Sequence, residues 1–317
     1  MAVALDASRA DRSSRWRRRL AALSDSRDLL GLVFMLPTAA LLIVFLAYPL
    51  GLGIWLGLTS ASLGDPGQFI GVANFVSLFH DPVYWLSVYN TILYTVVTSA
   101  FKFFLGLWLA LLLNQNMPFK AFIRAVVLLP WIVPTVLSAI AFWWLYDAQF
   151  SVISWALKHM GLITRNIEFL SDPNWARASV AIANIWRGIP FVAISLLAGL
   201  QTIPASLYEA ATLDGATPLQ RFYHITLPML TPIIAVVMTF SVLFTFTDFQ
   251  LIYVLTRGGP INSTHLMATL AFQRAIPGGS LGEGAALASS MIPFLVAAVM
   301  FSYFGLQRRK WQQGSRD

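Results

Sequence analysis

Long apolar runs alternate with short polar gaps along this chain. Six runs, near 29–56, 86–113, 121–146, 178–201, 232–256 and 285–306, each reach the ~20 residues a helix needs to cross a bilayer core. The gap between the fourth and fifth runs has a pattern of its own. Pro204 suits the first turn of a helix that carries Leu207, Ala210 and Ala211 on one side. Asp214-Gly215 ends it, because glycine takes a left-handed C-terminal conformation without steric cost. Thr217-Pro218-Leu219-Gln220 then reads as a capping box that opens a second helix. Leu219, Phe222, Tyr223 and Thr226 fall at i, i+3, i+4 and i+7, an amphipathic stripe, and Pro228 is expected to close it. Residues 202–231 thus predict helix, glycine hinge, helix. The segment is too short and too polar to span, so it is expected on the membrane surface.

Composition agrees with the runs. The 317 residues are 57% hydrophobic and 11% charged, with mean hydropathy +0.69. Soluble domains carry roughly 25% charged residues, so the chain cannot clothe a water-facing surface. The expectation is an all-α integral membrane protein: a basic tail over 1–28, a six-span domain over 29–307 and a second tail over 308–317.

The pI near 9.9 could suggest nucleic acid, but the positions of the charges argue against it. Fourteen Lys and Arg fall in the two tails, at Lys120 and Arg124, and at Arg221; five (Lys158, Arg165, Arg177, Arg257, Arg274) fall in the alternate gaps. The positive-inside rule then puts both termini and the 202–231 segment in the cytoplasm. There is no cysteine, which removes disulfides and thiolate metal sites.

Polar residues inside the runs are candidates for function, since ionisable groups at membrane depth are costly. Lys102 lies well inside the second run. Its side chain snorkels, faces the bundle interior or pairs, and the sequence names no partner. Asn184 and Arg187 lie in the fourth run. Asp248 in the fifth is the acidic candidate to pair with Arg187. Ser241, Thr245, Asp248 and Gln250 together are too many polar groups for lipid contact and should line a bundle interior or a passage. The third run carries Pro130, Trp131 and Pro134.

Nothing points to catalysis. The residues after Lys102, Lys120, Lys158 and Lys310 are Phe, Ala, His and Trp, so no phosphate-binding Gly-x-x-x-x-Gly-Lys-Ser/Thr loop exists. The four histidines are scattered without metal-ligand spacing.

Glu209-Ala210-Ala211, three residues, Gly215, nine residues, then Ile225-x-Leu227-Pro228 resembles the EAA loop of the binding-protein-dependent ABC-transporter permeases. Thr256-x-Gly258-Gly259-Pro260 resembles the loop after the fifth span in their carbohydrate and glycerol-phosphate branch, which includes maltose and trehalose permease subunits. The resemblance covers about 29–307, with a core near 86–306. It implies a six-span type I importer permease in the bacterial inner membrane, with no enzymatic activity or cofactor in this chain. ATP and magnesium would be bound by two copies of a separate ATPase. The partners implied are those ATPases, a second related permease subunit and an extracytoplasmic solute-binding protein.

In that reading Glu209, Ala210, Ala211, Asp214, Gly215, Leu219, Phe222, Tyr223, Leu227 and Pro228 form the ATPase-coupling surface. Glu209 is the charged contact, Gly215 the hinge, and Leu219, Phe222 and Tyr223 the apolar knob or its anchor. Asn90, Asn184, Arg187, Asp248, Gln250 and Tyr253 form the substrate pathway, with hydrogen-bonding groups beside aromatics suited to a polyhydroxylated solute. The alternatives are a stand-alone secondary transporter or channel using Arg187, Asp248 and Lys102, a permease for a non-sugar solute, and a membrane-embedded enzyme.

Overall fold

The computed structural model describes residues 27–300. The expected tails, apart from Arg27 and Asp28 which already belong to the first helix, and the end of the sixth run lie outside the described residues. Among the described residues the chain is helical, without a strand; two isolated bridges, Thr59 with Phe69 and Ser62 with Asp65, pin one loop. Among the described residues five helices are long and apolar enough to cross a membrane, six if one bent pair counts as a single span. The chain divides into two units at Trp55/Leu56.

The described part of the first unit belongs to one candidate span. Helix α1 (Arg27–Leu42) runs through a π-turn at Ile43–Ala47 into α2 (Tyr48–Gly57). The Tyr48 N–H bonds to the Ile43 carbonyl five residues back, immediately before Pro49. A proline inside an α-helix lacks its donor and crowds the carbonyl four residues earlier. Widening the preceding turn relieves the crowding, and the span continues.

The second unit holds the other spans. Helix α3 (Ala73–His80) leads into α4 (Pro82–Asn114), capped by the Asp81 side chain on the Val83 N–H. The third run is not one helix. α5 (Lys120–Ile132) and α6 (Thr135–Leu145) meet at 87°. The break follows from Pro134: Val133, the residue before it, is forced into extended backbone at φ −61°, ψ 131°, as a proline's neighbour tends to be. After α7 (Val152–His159), span four is α8 (Pro173–Leu200), capped by Asp172. α4 and α8 pack against each other, and Gly188 makes this possible: a Cβ there would overlap the aliphatic stem of Lys102.

Beyond α8 lie α9 (Ala205–Leu213) and α10 (Pro218–Arg221), a π-turn at Phe222–Thr226, then α11 (Leu227–Phe246) and α12 (Gln250–Leu255). α13 (Met267–Ala275) and α14 (Leu281–Ser290) follow, and the last candidate span runs Leu281–Met300.

Pro228 does not close the second loop helix. The Leu227 N–H reaches the Phe222 carbonyl five residues back, the same device as before Pro49, and residues 218–255 form one candidate span. The loop helix is therefore the rigid end of span five rather than a free surface segment.

Three apolar clusters fill the second unit. One, near the α9–α10 end, joins Leu107, Leu113, Val192, Leu196, Leu230 and Val237. A second, around Tyr146, Phe169, Leu251 and Leu266, and a third, around Leu78, Met267, Leu270 and Leu287, lie toward the opposite end. That far end is closed by ion pairs from Arg274 to Asp81 and to Glu283. Its 256–265 loop is tied by Thr256 and Thr264 hydroxyls at 2.7 Å and folds over the buried His265.

Candidate functional site: a hinged elbow and an intramembrane polar chain

The 202–231 segment forms an elbow. Pro204 is the N-cap of α9, one position before the expected first turn, and Asp214 is its C-cap. Gly215 has φ +77° with open space around its Cα, so the left-handed backbone, not crowding, demands glycine. The capping box is present: the Thr217 N–H bonds to Gln220 Oε1 at 2.8 Å and the Gln220 N–H to Thr217 Oγ1 at 3.3 Å. Arg221 donates to Thr212 Oγ1 at 2.9 Å, and the Tyr208 and Thr226 hydroxyls meet at 3.0 Å. These bonds cross the hinge and set the angle between its arms.

Phe222 and Ile225 are half-buried and pack with Tyr208 on the Leu196–Leu230 cluster; Leu227 is also half-buried. Glu209, Ala210, Asp214 and Pro228 are exposed, and Ala211 is half-buried. Leu219 and Tyr223 are 65% and 56% exposed, so Phe222 is the anchor and these two face outward. The most exposed apolar side chain of the elbow is Leu213, at 90%. Sequence reasoning passed over it because the glycine stop drew attention to Asp214; its place on the last turn before a left-handed cap was the available signal.

Inside the bundle, span two, span four and the break in span five meet in a chain of hydrogen bonds. Lys102, 3% exposed, donates to Asn184 Oδ1 at 2.8 Å and to Thr245 Oγ1 at 2.6 Å. The other end of the Asn184 amide donates to Asp248 Oδ2 at 2.9 Å, and Tyr94 OH donates to the same oxygen at 2.9 Å. Asp248 Oδ1 accepts from the Leu251 N–H at 3.4 Å, capping α12 across the break. Asn184 thus bridges a cation and a carboxylate, satisfying both with one amide. This supplies the partners of Lys102 that the sequence did not.

The expected Arg187–Asp248 pair does not form. Asp248 is held by Tyr94 and Asn184. The Arg187 guanidinium instead lies 5.5 Å from the Trp131 ring centre, with its buried Nε without a hydrogen-bond partner. Trp131 stacks on Phe191 at 4.9 Å and lies 6.4 Å from Phe244.

The remaining pathway candidates are dispersed. Asn90 is buried and holds the far loop: its amide donates to the Asn262 and His265 carbonyls, and Arg177 donates to its oxygen at 3.2 Å. Gln250 is exposed at the start of α12. Tyr253 packs with Phe249 and Phe272, and Arg257 lies over its ring. So the structure gathers Asn184, Asp248, Lys102 and Arg187 and leaves Asn90, Gln250 and Tyr253 outside that cluster. Tyr94 and Thr245 join it; neither stood among the pathway candidates.

Helical spans enclosing a buried polar chain, with a hinged elbow at one end, define a polytopic α-helical membrane protein. The chain belongs to the binding-protein-dependent transport system inner membrane component family, whose profile matches residues 102–312. It is 38% identical over 280 residues to the sulfoquinovosyl glycerol transport system permease protein SmoG of Agrobacterium fabrum, covering 87% of this chain and 89% of that one. With the trehalose/maltose transport system permease protein MalF of Thermococcus litoralis it shares 35% over 244 residues, 77% of this chain and 82% of that one. A solved bacterial ABC transporter involved in importing the acidic polysaccharide alginate superposes at TM-score 0.76 with 26% identity, covering 92% of this chain and 99% of that chain. A second structure, in complex with an alginate pentasaccharide-bound periplasmic protein, superposes at 0.73 with 26% identity, over 88% and 93% of the two chains. The fold is that of ABC importer permeases.

Proposed function

We propose that this chain is the membrane-spanning subunit of an ATP-driven importer for a sugar or sugar-like solute, driven through its elbow by a separate ATPase. The observation that carries the reading is the continuity of α10 with span five through the π-turn before Pro228. A push on Leu219 and Tyr223 is delivered directly to the helix that carries Thr245 and ends just before Asp248, and a push on Leu213 reaches it across the hinge through the Arg221–Thr212 bond. A flexible loop would dissipate the displacement; a helix hinged at one glycine and cross-bonded by Arg221 transmits it as rigid-body motion.

The family and the sugar-transport relatives support the solute class. The match to an alginate transporter bound to a periplasmic protein supports a solute-binding partner. In the assembly we infer, a second related permease completes the pathway and two ATPase copies, which bind ATP and magnesium, dock on the two elbows. The uneven distribution of Lys and Arg supports cytoplasmic termini and a cytoplasmic elbow.

The test is uptake by proteoliposomes holding this chain with the partners that co-purify with it. Uptake that requires ATP inside the compartment facing the elbow is expected. Uptake that follows a proton gradient with no ATPase present would overturn the proposal and favour a secondary transporter.

A further inference from the structure

Three charged residues cluster in the bundle: Lys102, which is buried, and Asp248 and Arg187, which are half-buried. The first two are satisfied. Lys102 donates to Asn184 and Thr245, and Asp248 accepts from Tyr94, Asn184 and the Leu251 N–H. Arg187 is different. It sits near the middle of α8 (Pro173–Leu200), makes no direct ion pair among the described residues though it feels the Asp248 charge, and its buried Nε has no partner. Its guanidinium lies over the face of Trp131 at 5.5 Å. The cluster therefore carries one positive charge in excess.

An uncompensated cation at membrane depth is costly and marks a functional site by default. Cation–π contact orients a guanidinium through the ring face and leaves its in-plane N–H donors free. Those donors form a planar fork that matches carboxylate, sulfonate or phosphate oxygens in a bidentate geometry that lysine does not provide. Trp131 is itself fixed by stacking on Phe191, so the fork is preorganised. Phe244, 56% exposed, lies beside Trp131 and offers an apolar ring to the C–H face of a pyranose.

We propose that Arg187, oriented by Trp131, makes the intramembrane site selective for saccharides that carry an anionic group. The anion supplies the missing negative charge, and the sugar ring lies against Phe244 with its hydroxyls toward the Asn184–Asp248 chain. This rests on reading the chain as a solute-conducting permease. It adds that the solute is charged.

The experiment is equilibrium dialysis on the assembled transporter in nanodiscs, without its solute-binding protein. The probes are methyl glucoside and its 6-carboxylate, 6-sulfonate and 6-phosphate counterparts. Wild type is expected to bind at least one anionic member about tenfold or more tightly than the neutral one, the range of a charge-assisted hydrogen bond. Arg187→Gln should abolish that preference, and Arg187→Lys should keep part of it, since the charge remains and the fork is lost. Trp131→Phe should weaken anion binding while sparing the neutral sugar. Equal binding of neutral and anionic probes by wild type, or a preference surviving Arg187→Gln, overturns the anion assignment and leaves the permease reading standing. So does an Arg187→Gln complex that loses its partner permease while wild type shows no anion preference, which would make Arg187 a subunit contact. No binding of any saccharide, with ATP-independent uptake in the proteoliposome test, overturns both.

Discussion

Replacing Lys102 by methionine and Asp248 by asparagine, singly and together, isolates the energy of the buried chain. The two hydrogen bonds to Asn184, at 2.8 and 2.9 Å, with the amide between them, put the opposite charges about 7 Å apart. At an effective dielectric of about 20 their attraction is roughly 2.4 kcal/mol. Asp248→Asn keeps the shape and the Tyr94 bond but strands a buried ammonium. Lys102→Met keeps the stem that Gly188 accommodates but removes the cation that Asn184 bridges to the carboxylate. Each single change should cost about 3 kcal/mol or more, because it removes one partner of a buried, hydrogen-bonded charge pair. The double change removes both charges of the pair together, so the couple should show a recovery of about 2 kcal/mol against additivity. With each kcal/mol moving a midpoint by roughly 2–4 °C, the double variant should melt several degrees above the additive expectation. Thermal unfolding followed by fluorescence-detected gel filtration in one detergent reads this directly. Strictly additive shifts would show that Lys102 and Asp248 do not communicate through Asn184, and the chain would be two unrelated polar sites.

Other outcomes follow from single positions. Gly215→Ala should destabilise the elbow by about 1–2 kcal/mol from its left-handed backbone alone, Gly215→Asn by less; equal effects in limited proteolysis of the 202–231 segment would contradict that origin. Leu213→Asp should leave the melting temperature of the isolated chain within about 2 °C, since surface changes are small, while halving or worse the transport-linked hydrolysis of the assembled complex. Unchanged hydrolysis would remove Leu213 from the contact. Burial holds the His265 imidazole below its ordinary range; a hydrogen bond with Gln273 opposes this and the charge of Arg274 adds to it. The unfolded chain therefore takes up the proton first, and stability is lost as pH falls from about 6.5 toward the lower folded value. His265→Gln should flatten the drop in melting temperature between about pH 7 and pH 5, and an undiminished drop would assign it to other groups.

Much of this was legible in the sequence. The apolar runs located the spans, because lipid imposes length and composition on a helix. The capping box and the glycine stop located the hinge, because both are local devices whose partners lie within four residues. Pro134 was visible, yet the 87° bend was not, since a proline in a span can kink, break or be absorbed. Pro49 and Pro228 are absorbed by π-turns, an outcome that depends on how the preceding turn packs. The polar cluster was half legible: Lys102, Asn184, Arg187 and Asp248 stood out as unusual in lipid, but their pairing was not. Charge suggested Arg187 with Asp248, whereas the packing of α4 on α8 at Gly188 puts Lys102 against Asn184. Tyr94 and Thr245 were missed because a tyrosine or threonine in a span is ordinary until its hydroxyl is seen to meet a carboxylate or an ammonium.

The central claim is that the elbow takes force from a nucleotide-driven partner on the cytoplasmic side. The chain has no cysteine, so Leu213→Cys introduces a single thiol at the elbow's most exposed apolar point. Cross-linking from that thiol in inside-out vesicles, with the assembled transporter, should capture the ATPase subunit and stop its hydrolysis. Modification of the same thiol by an impermeant reagent from the outer face, with no ATPase captured, would contradict the account.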